Sequence, residues 1–488
     1  MKSLKIPIRI FLLFTVILVV FSCAVNPVTG KKQLMFISEK QEIEMGKQYD
    51  PQVIATFGEY QNPGLLAFIQ EKENEMGKIS HRPNLEYHVR ILDSPVVNAF
   101  AVPGGYIYLT RGILAQFNNE AELAGVLAHE MGHITARHTV SQQSKQQVGQ
   151  LLLIGGIIAS KEFAKYAEYA MQGMQLLFLS FSRDDEREAD RLGVAYSSKI
   201  GYDAHKMADF FQVLIKMNLA STQGGIPTFM STHPDPGDRY NSVNKQATEW
   251  QANLKYPDYK VNTESYLRMI DGMVYGEDPR QGYVDGSTFY HPGMKFKFSY
   301  PDGWGLENSP LQVRMAPKDG NALMIFTLSP KKTLEESSQS SIEQLGLTLI
   351  ENKKLNVNGM PALATVCKQV SQDQSTGQQN TIMVLSYYID YNGTVYVFHG
   401  VSAEANFKTF MPVLERSMSN FSKLTDPARL NVKPRKIMIK SVQRPGTLAD
   451  FFQSNGVPQK QMAEMALLNN MELSANVQTG KLIKIIGE

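Results

Sequence analysis

The sequence is poor in cysteine, has no marked excess of charge of either sign and shows no internal repeat. Cys23 and Cys367 are the only cysteines among 488 residues, which excludes a framework of several disulfides. The 49 basic and 47 acidic residues give a net charge of +2, so the chain lacks the electrostatic character of a nucleic-acid-binding protein. With 36 glycines and 23 prolines it is not collagen-like. Its composition is that of ordinary globular protein, and its length predicts about two to four domains.

Residues 1–22 are predicted to be a signal peptide. A basic start precedes an apolar run over residues 10–21, which is shorter than the roughly 20 residues that a membrane-spanning helix needs. The run ends in Ser22-Cys23, which resembles a bacterial lipobox and implies that Cys23 carries lipid; a plain anchor helix is the alternative. The resemblance also implies sorting to the periplasmic face of the outer membrane, because Ala24 rather than an aspartate follows the cysteine.

The pattern of apolar residues changes near the middle of the chain. Helical periodicity dominates from about residue 39 to 265, interrupted by strand-like runs at 87–92 and 99–110. Residues 269–286 are rich in Gly, Asp and Pro, which predicts a linker. An apolar stretch at 148–160 is too short to span a membrane, and we expect a helix or lid packed over the first domain. Contact with the bilayer surface is the alternative for that stretch.

Residues 119–133 hold the densest set of metal-binding side chains. Asn119 is predicted to cap a helix on which apolar residues recur with helical spacing. His129 and His133 are four residues apart, so both imidazoles project from one face of that helix. Two neutral imidazoles on one ion suit zinc. Glu130 lies about 100° round the helix, close enough to reach a metal-bound water without binding the metal.

A catalytic zinc site needs a third protein ligand and an open position for water. The metzincin pattern is excluded because Ala136 and Thr139 stand where it requires Gly and His. His138 is predicted to lie on the opposite face of the same helix and is not expected to be a ligand.

Better candidates lie downstream, on a helix that Ser182 and Asp185 are predicted to cap. Glu186 and Asp190 are four residues apart and share a helix face. One carboxylate can bind zinc while the other accepts a hydrogen bond from a zinc-binding imidazole. Glu188 lies about 200° from Glu186 and is expected to be a solvated charge.

The sequence HEMGH at 129–133, together with EREAD at 186–190, resembles metallopeptidase family 48, the CAAX-prenyl-protease/HtpX type. Three further segments, residues 26–39, 98–111 and 231–239, resemble the soluble periplasmic lipoprotein branch of that family. The resemblance covers about residues 26–245 and implies a mainly α, zincin-like (gluzincin) protease domain. It also implies that one zinc ion per chain is held by His129, His133 and Glu186, with Glu130 as catalytic base and Asp190 bonded to a zinc-binding imidazole.

The role of His233 is left open between two possibilities. In this branch the equivalent histidine can lie near the metal, where it stabilises charge or occupies the open position in a latent state. A lone histidine before proline can equally be structural.

The chemistry of such a site is peptide-bond hydrolysis. Zinc lowers the pKa of a bound water to about 7 and polarises the scissile carbonyl. Glu130 would take the proton of that water and pass it to the leaving amine. An extended substrate could add as a strand beside residues 99–102, which requires little sequence specificity and suits a protease of unfolded proteins.

The second half carries no metal, nucleophile or phosphate-loop motif. Its alternating runs and two helical patterns, at 340–350 and 405–419, predict an α+β domain with an antiparallel sheet. Residues 289–304 resemble the start of PsbP/Mog1-like domains, which implies an accessory or interaction domain. Cys367 lies in a strand-like stretch and is expected to be a buried thiol. The last segment resembles a LysM-like βααβ module, which would hold peptidoglycan through residues 436–488; a structural or protein-binding module is the alternative.

The chain is therefore predicted to be a multidomain, outer-membrane-anchored zinc endopeptidase that acts on unfolded or misassembled envelope proteins. The alternative is a chaperone or assembly factor for outer-membrane proteins whose metal site is latent; a cell-wall hydrolase is indicated only by the LysM-like region. The predicted segments are a signal peptide (1–22), the metalloprotease domain (23–268), a linker (269–286), the α+β accessory domain (287–425) and the LysM-like module (426–488).

Overall fold

The structure is a computed structural model that describes residues 23–144, 180–220, 228–234, 238–372 and 379–488. The predicted signal peptide and the apolar stretch at 148–160 lie outside the described residues. Among the described helices, none combines the length and the apolar character that a membrane-spanning helix requires.

The first region is mainly helical, as the periodicity predicts. Its helices are α1 (Glu39–Phe57), α2 (Pro63–Lys78), α3 (Arg111–Gln116), α4 (Glu120–Thr135), α5 (Arg183–Lys199), α6 (His205–Ala220), α7 (Thr228–Thr232), α8 (Arg239–Leu254) and α9 (Thr263–Ile270). Its strands are β1 (Cys23–Val25), β2 (Lys32–Leu34), β3 (His88–Leu92), β4 (Ala99–Val102) and β5 (Tyr106–Thr110). Every residue of α4 is buried, so this helix runs through the centre of the core.

A three-stranded sheet lies beside α4 and confirms the two strand-like runs. Its order is β3-β5-β4, with β3 parallel and β4 antiparallel to β5. The turn between β4 and β5 requires glycine, since Gly104 and Gly105 have φ angles of 85° and 98°. A Cβ atom on Gly105 would lie 2.1 Å from the carbonyl oxygen of Glu86. Strand β4 lies at the edge of the sheet, beside the helix that carries the histidines.

The second region is the predicted α+β domain. It contains β6 (Tyr283–Asp285), β7 (Thr288–His291), β8 (Phe296–Ser299), β9 (Gly305–Asn308), β10 (Gln312–Ala316), β11 (Ala322–Leu328), helix α10 (Leu334–Gln344), β12 (Thr348–Val357), β13 (Met360–Gln372), β14 (Gln379–Tyr391), β15 (Thr394–Ala403), helix α11 (Glu404–Ser419) and β16 (Ser422–Lys423). A seven-stranded antiparallel sheet has the order β12-β13-β14-β15-β11-β10-β9, and a four-stranded sheet has the order β16-β8-β7-β6. Cys367 is buried on β13, as predicted.

One helix of this domain begins and ends earlier than its periodicity predicts. The pattern placed it at 340–350, whereas α10 starts after Thr333, whose side chain accepts a hydrogen bond from the backbone N–H of Glu336. It ends before Gly346, whose φ of 60° is left-handed. The following residues belong to the exposed strand β12.

The last region has the predicted order of strand, two short helices and strand. Its elements are α12 (Pro427–Leu430), β17 (Lys436–Ser441), β18 (Gly446–Thr447), α13 (Leu448–Ser454), α14 (Met462–Leu468), β19 (Asn476–Val477) and β20 (Leu482–Gly487). Strands β17 and β20 pair in antiparallel fashion. Strand β17 also exchanges backbone hydrogen bonds with the start of the predicted linker, because Ile437 bonds both Gly272 and Met273. Its Ile437 side chain belongs to the core of the first region.

Candidate metal centre

The N-terminus of helix α4, which carries His129 and His133, is fixed by a side-chain cap. The side chain of Asn119 accepts a hydrogen bond from the backbone N–H of Glu122 at 2.9 Å, and the Glu122 carboxylate accepts from the Asn119 amide at 2.8 Å. Near its other end, a Cβ atom on Gly132 would lie 3.1 Å from the Cα of Ala189 on α5. The small residue lets the two helices approach closely, which brings the carboxylates of α5 to the histidines of α4.

Helix α5 begins as its sequence predicts. Ser182 and Asp185 form a capping box in which each side chain bonds the other's backbone N–H. This start places the buried side chains of Glu186 and Asp190 on the face that packs against α4.

Four side chains converge on one point in the core. One donor atom from each of His129, His133, Glu186 and His233 lies within 4.8 Å of the other three. The Nε2 atoms of His129 and His133 are 3.1 Å apart, and each lies 3.5 Å from an oxygen of Glu186. His233 Nδ1 is 3.0 Å from Glu186 Oε1. Two imidazoles and a carboxylate with a fourth donor are a set of ligands that suits zinc.

Unsatisfied atoms around this point fit a bound ion and water. Both carboxylate oxygens of Glu130 and the Nε2 atom of His233 are buried without a hydrogen-bond partner among the described residues. Buried polar atoms in proteins are nearly always bonded, so such atoms indicate a missing partner. Glu130 Oε1 and His233 Nε2 lie 3.6 Å from each other. The residues present therefore fit a metal ion with Glu130 beside it.

Burial controls the ionisation of these groups. Burial lowers the pKa of His129 and of His133 well below the ordinary value, which keeps both imidazoles neutral and able to bind a metal. Burial also raises the pKa of Glu130 to about 7, with His233 opposing the shift. The pKa of His233 itself is raised, because the carboxylates of Glu186 and Glu130 outweigh the effect of burial. A carboxyl group that titrates near neutrality can both accept and donate a proton.

Asp190 and Arg239 orient His129 through its Nδ1 atom. Asp190 Oδ1 is 2.9 Å from His129 Nδ1, which leaves Nε2 of that ring facing the centre. Arg239 donates to the same oxygen from Nη2 at 2.7 Å and from Nε at 3.1 Å. Its guanidinium stacks 3.7 Å from the ring centre of Phe211. The sequence alone assigns no role to Arg239, because its contacts are with residues distant in the chain.

His138 and Glu188 differ from the sequence predictions. Helix α4 ends at Thr135, so His138 does not lie on the opposite face of that helix. Its Nδ1 atom is 2.9 Å from Nδ1 of His133, and its Nε2 atom is 3.2 Å from Glu188 Oε2. Glu188 is therefore not a solvated charge, and its hydrogen bond with His138 lowers the pKa of its carboxyl group. His138 lies outside the group of four converging donors.

Strand β4, beside which a substrate strand is predicted to add, is a buried edge strand. All four of its residues are buried. The backbone N–H of Phe229, on α7, donates to the carbonyl of Val97 at 3.1 Å. The ring of Phe229 also stacks on His233, with ring centres 4.5 Å apart. The helix that precedes His233 thus lies against the chain that leads into β4.

Comparison with known proteins agrees with this geometry. The family model described as "Peptidase family M48" matches residues 67–247. The beta-barrel assembly-enhancing protease of Yersinia pestis is 28% identical over 253 residues, which are 50% of each chain. The putative beta-barrel assembly-enhancing protease of Vibrio cholerae is 33% identical over 162 residues, which are 32% of this chain and 33% of that one. The chain spans about half or less of the length of these relatives.

Solved structures also resemble part of the chain. The cyanobacterial PsbP protein of Synechocystis is 14% identical, with a TM-score of 0.23 over 29% of this chain and 94% of that one. Residues 67–247 of the chain match peptidase family M48, a family of zinc-dependent metallopeptidases, and they contain all four converging donors.

Proposed function

We propose that the chain is a zinc endopeptidase of the bacterial cell envelope that hydrolyses peptide bonds of unfolded or misassembled envelope proteins. The observation that carries the proposal is the convergence of His129, His133 and Glu186 beside Glu130, whose buried carboxylate has no partner among the described residues. In this proposal the three converging residues hold the ion, and the protease domain is zincin-like, of the gluzincin type.

The residues have separate tasks in the reaction. Zinc, when bound, activates a water molecule and polarises the scissile carbonyl. Glu130 accepts the proton of the attacking water and later donates it to the leaving amine nitrogen. Asp190 keeps the Nδ1 proton of His129 in place and so directs Nε2 toward the ion. Complete burial of Glu130 excludes bulk water from the proton that it transfers.

The proposed location and substrates rest on the relatives and on the sequence. The relatives' names connect them with the assembly of β-barrel proteins, and unfolded polypeptides of that kind are the substrates that we propose for this chain. Lipid on Cys23 would hold the protein at the periplasmic face of the outer membrane. The C-terminal region, proposed to be LysM-like, would bind peptidoglycan.

The first experiment is digestion of casein by the chain from residue 23, produced without lipid, beside Glu130→Gln. Glutamine keeps the size of the side chain but cannot accept a proton, so turnover should fall at least ~100-fold while zinc content is unchanged. A chelator should abolish cleavage by the parent. Equal cleavage by parent and variant would contradict the proposed role of Glu130.

A second candidate function, a chaperone or assembly factor with a latent site, is favoured by the position of His233. A fourth donor on the ion would fill the position that water needs for catalysis. In this case the parent should cleave casein poorly, and His233→Ala should raise the rate. If His233→Ala instead lowers the rate with zinc content unchanged, His233 supports catalysis and the site is not latent.

A further inference from the structure

The Nδ1 atoms of His133 and His129, which do not face the proposed metal, have different kinds of partner. For His129, a carboxylate oxygen of Asp190 lies directly on Nδ1, at 2.9 Å. For His133, the atom at this position is Nδ1 of another imidazole, His138, also at 2.9 Å. A carboxylate, Glu188, follows one step further, 3.2 Å from Nε2 of His138. The chain thus contains a connected row of carboxylate, imidazole and imidazole that ends at the proposed metal centre.

Only one arrangement of protons satisfies this row when a metal is bound. Nε2 of His133 faces the other donors and must offer a lone pair to the ion, so its proton lies on Nδ1. That proton is donated to Nδ1 of His138, which must therefore be unprotonated. The remaining proton of His138 lies on Nε2 and points to the acceptor oxygen of Glu188. Each donor then meets one acceptor, and no buried nitrogen of the row is left unpaired.

We propose that His138 and Glu188 are positioning residues that fix the tautomer and the orientation of His133 for zinc. The inference rests on the proposed function, since it assumes that His133 binds the ion. The bond from Asp190 gives His129 a direct carboxylate, whereas His138 extends the reach of a carboxylate that lies too far from His133 to bond it. The two zinc-binding histidines are thus oriented by two independent acidic groups of helix α5.

The backbone turn after α4 brings His138 next to His133. Arg137 has a φ of 58°, a left-handed conformation that non-glycine residues rarely adopt. Its side chain is held by Glu42 Oε2 at 2.8 Å and by the carbonyl of Ile37 at 2.9 Å. These contacts maintain the sharp turn that brings the next residue back to the end of the helix. The unusual conformation at Arg137 is thus stabilised by residues of the N-terminal segment.

His138 serves as a hydrogen-bonding group at this position and does not merely fill space. Its side chain is 1% exposed, and the ring of Phe181 packs on His133 with ring centres 3.9 Å apart. Phe181 therefore provides the packing that orients the His133 ring, whereas His138 meets its polar edge. Asp185 is the other acidic group near Nε2 of His138, at 3.7 Å, which is beyond hydrogen-bonding distance.

The test is zinc affinity, measured by competition with a chromophoric chelator, for the full chain from residue 23 and its variants. His138→Leu removes the acceptor and should weaken zinc binding by about 10- to 100-fold. His138→Asn retains an acceptor oxygen near the place of Nδ1 and should restore affinity to within about threefold of the parent. His205→Leu is the matched control, because His205 also pairs with a carboxylate, Asp203 at 2.9 Å, but has no contact with the proposed ligands; it should leave affinity unchanged.

The outcomes separate this inference from the proposed function. If the parent binds no zinc, the proposed site itself is wrong. If the parent binds zinc and His138→Leu binds it equally well, the site stands and the role of His138 is refuted. Equal weakening by Leu and Asn would also refute it, since a merely structural histidine gives that result. Should His138→Leu fail to fold, Glu188→Leu replaces it, because that residue is 17% exposed; unchanged affinity in Glu188→Leu would overturn the proposal.

Discussion

At the scale of single residues, Glu73 is a buried carboxyl group that lies outside the metal centre. It lies on α2, is fully buried, and accepts a hydrogen bond only from Gln70, at 3.2 Å; its other oxygen has no partner among the described residues. Burial raises the pKa of this carboxyl well above its ordinary value. The folded protein therefore favours the protonated form of Glu73.

The pH dependence of stability should reflect this group. A raised pKa in the folded state gives a contribution that is complete below the unfolded pKa and is lost as the pH rises toward the folded pKa. Glu73→Gln, which does not titrate, should gain stability relative to the parent from about pH 5 up to the folded pKa of Glu73, by about 1.4 kcal/mol per pH unit, and the difference should be constant above that pKa. Urea unfolding at a series of pH values measures the difference. Glu71→Gln on the exposed face of the same helix is the control, and a gain independent of pH would contradict the assignment.

The residues of the site differ in how far the sequence predicts them. His129, Glu130 and His133 lie where helical spacing places them, since one helix carries all three. Glu186 and Asp190 follow from the same argument on α5. His138 was misplaced because the left-handed turn at Arg137 carries neither the glycine nor the asparagine that normally signals one. A conformation held by contacts with a distant segment leaves no local pattern in the sequence.

Among the helices and strands, the caps decide where the functional side chains lie. The capping box of α5 fixes the first turn of the helix, and Glu186 lies in that turn. A simpler cap, a single hydrogen bond from the backbone N–H of Glu336 to the Thr333 side chain, begins α10 earlier than the apolar pattern predicts. Periodicity predicted both helices, whereas their boundaries depend on single hydrogen bonds at the ends.

Loss of the α5 cap should therefore affect metal binding as well as stability. Ser182→Ala should cost about 1 kcal/mol of stability and should weaken zinc binding, because fraying of the first turn displaces Glu186. Thr333→Ala should cost a similar amount in the α+β domain without changing zinc affinity. Thermal unfolding and chelator competition on both variants provide the comparison. Equal zinc affinity in the two variants would show that Glu186 does not depend on the cap.

On the scale of the whole molecule, the C-terminal region is attached to the protease region by a buried lysine. Lys484, on β20, is fully buried, and its Nζ donates to the carbonyls of Ala115 at 2.9 Å and Phe117 at 3.0 Å. These carbonyls end helix α3, where a cation is favourable. Burial lowers the pKa of Lys484 to about 7, while the nearby carboxylate of Glu122 opposes the shift.

The sequence does not predict this attachment. A lysine among isoleucines in a final strand is typical of an exposed strand face, and a Gly- and Asp-rich segment is typical of a linker. The structure instead pairs the start of that segment with β17 and places Lys484 in the core. The two regions are remote in the chain, so only tertiary contacts join them.

Removal of the lysine should loosen the C-terminal region as a unit. Lys484→Ala leaves Glu122 without its nearby cation and the α3 carbonyls without a donor, which should cost about 3 kcal/mol of stability. The exposed neighbour Lys481 provides the control, because Lys481→Ala removes a charge from the same end of the chain without opening the core. Limited proteolysis should cleave Lys484→Ala within residues 271–286 faster than the parent or Lys481→Ala, since β17 protects the start of that segment. Equal cleavage rates and equal unfolding midpoints in the two variants would show that other contacts hold the C-terminal region in place.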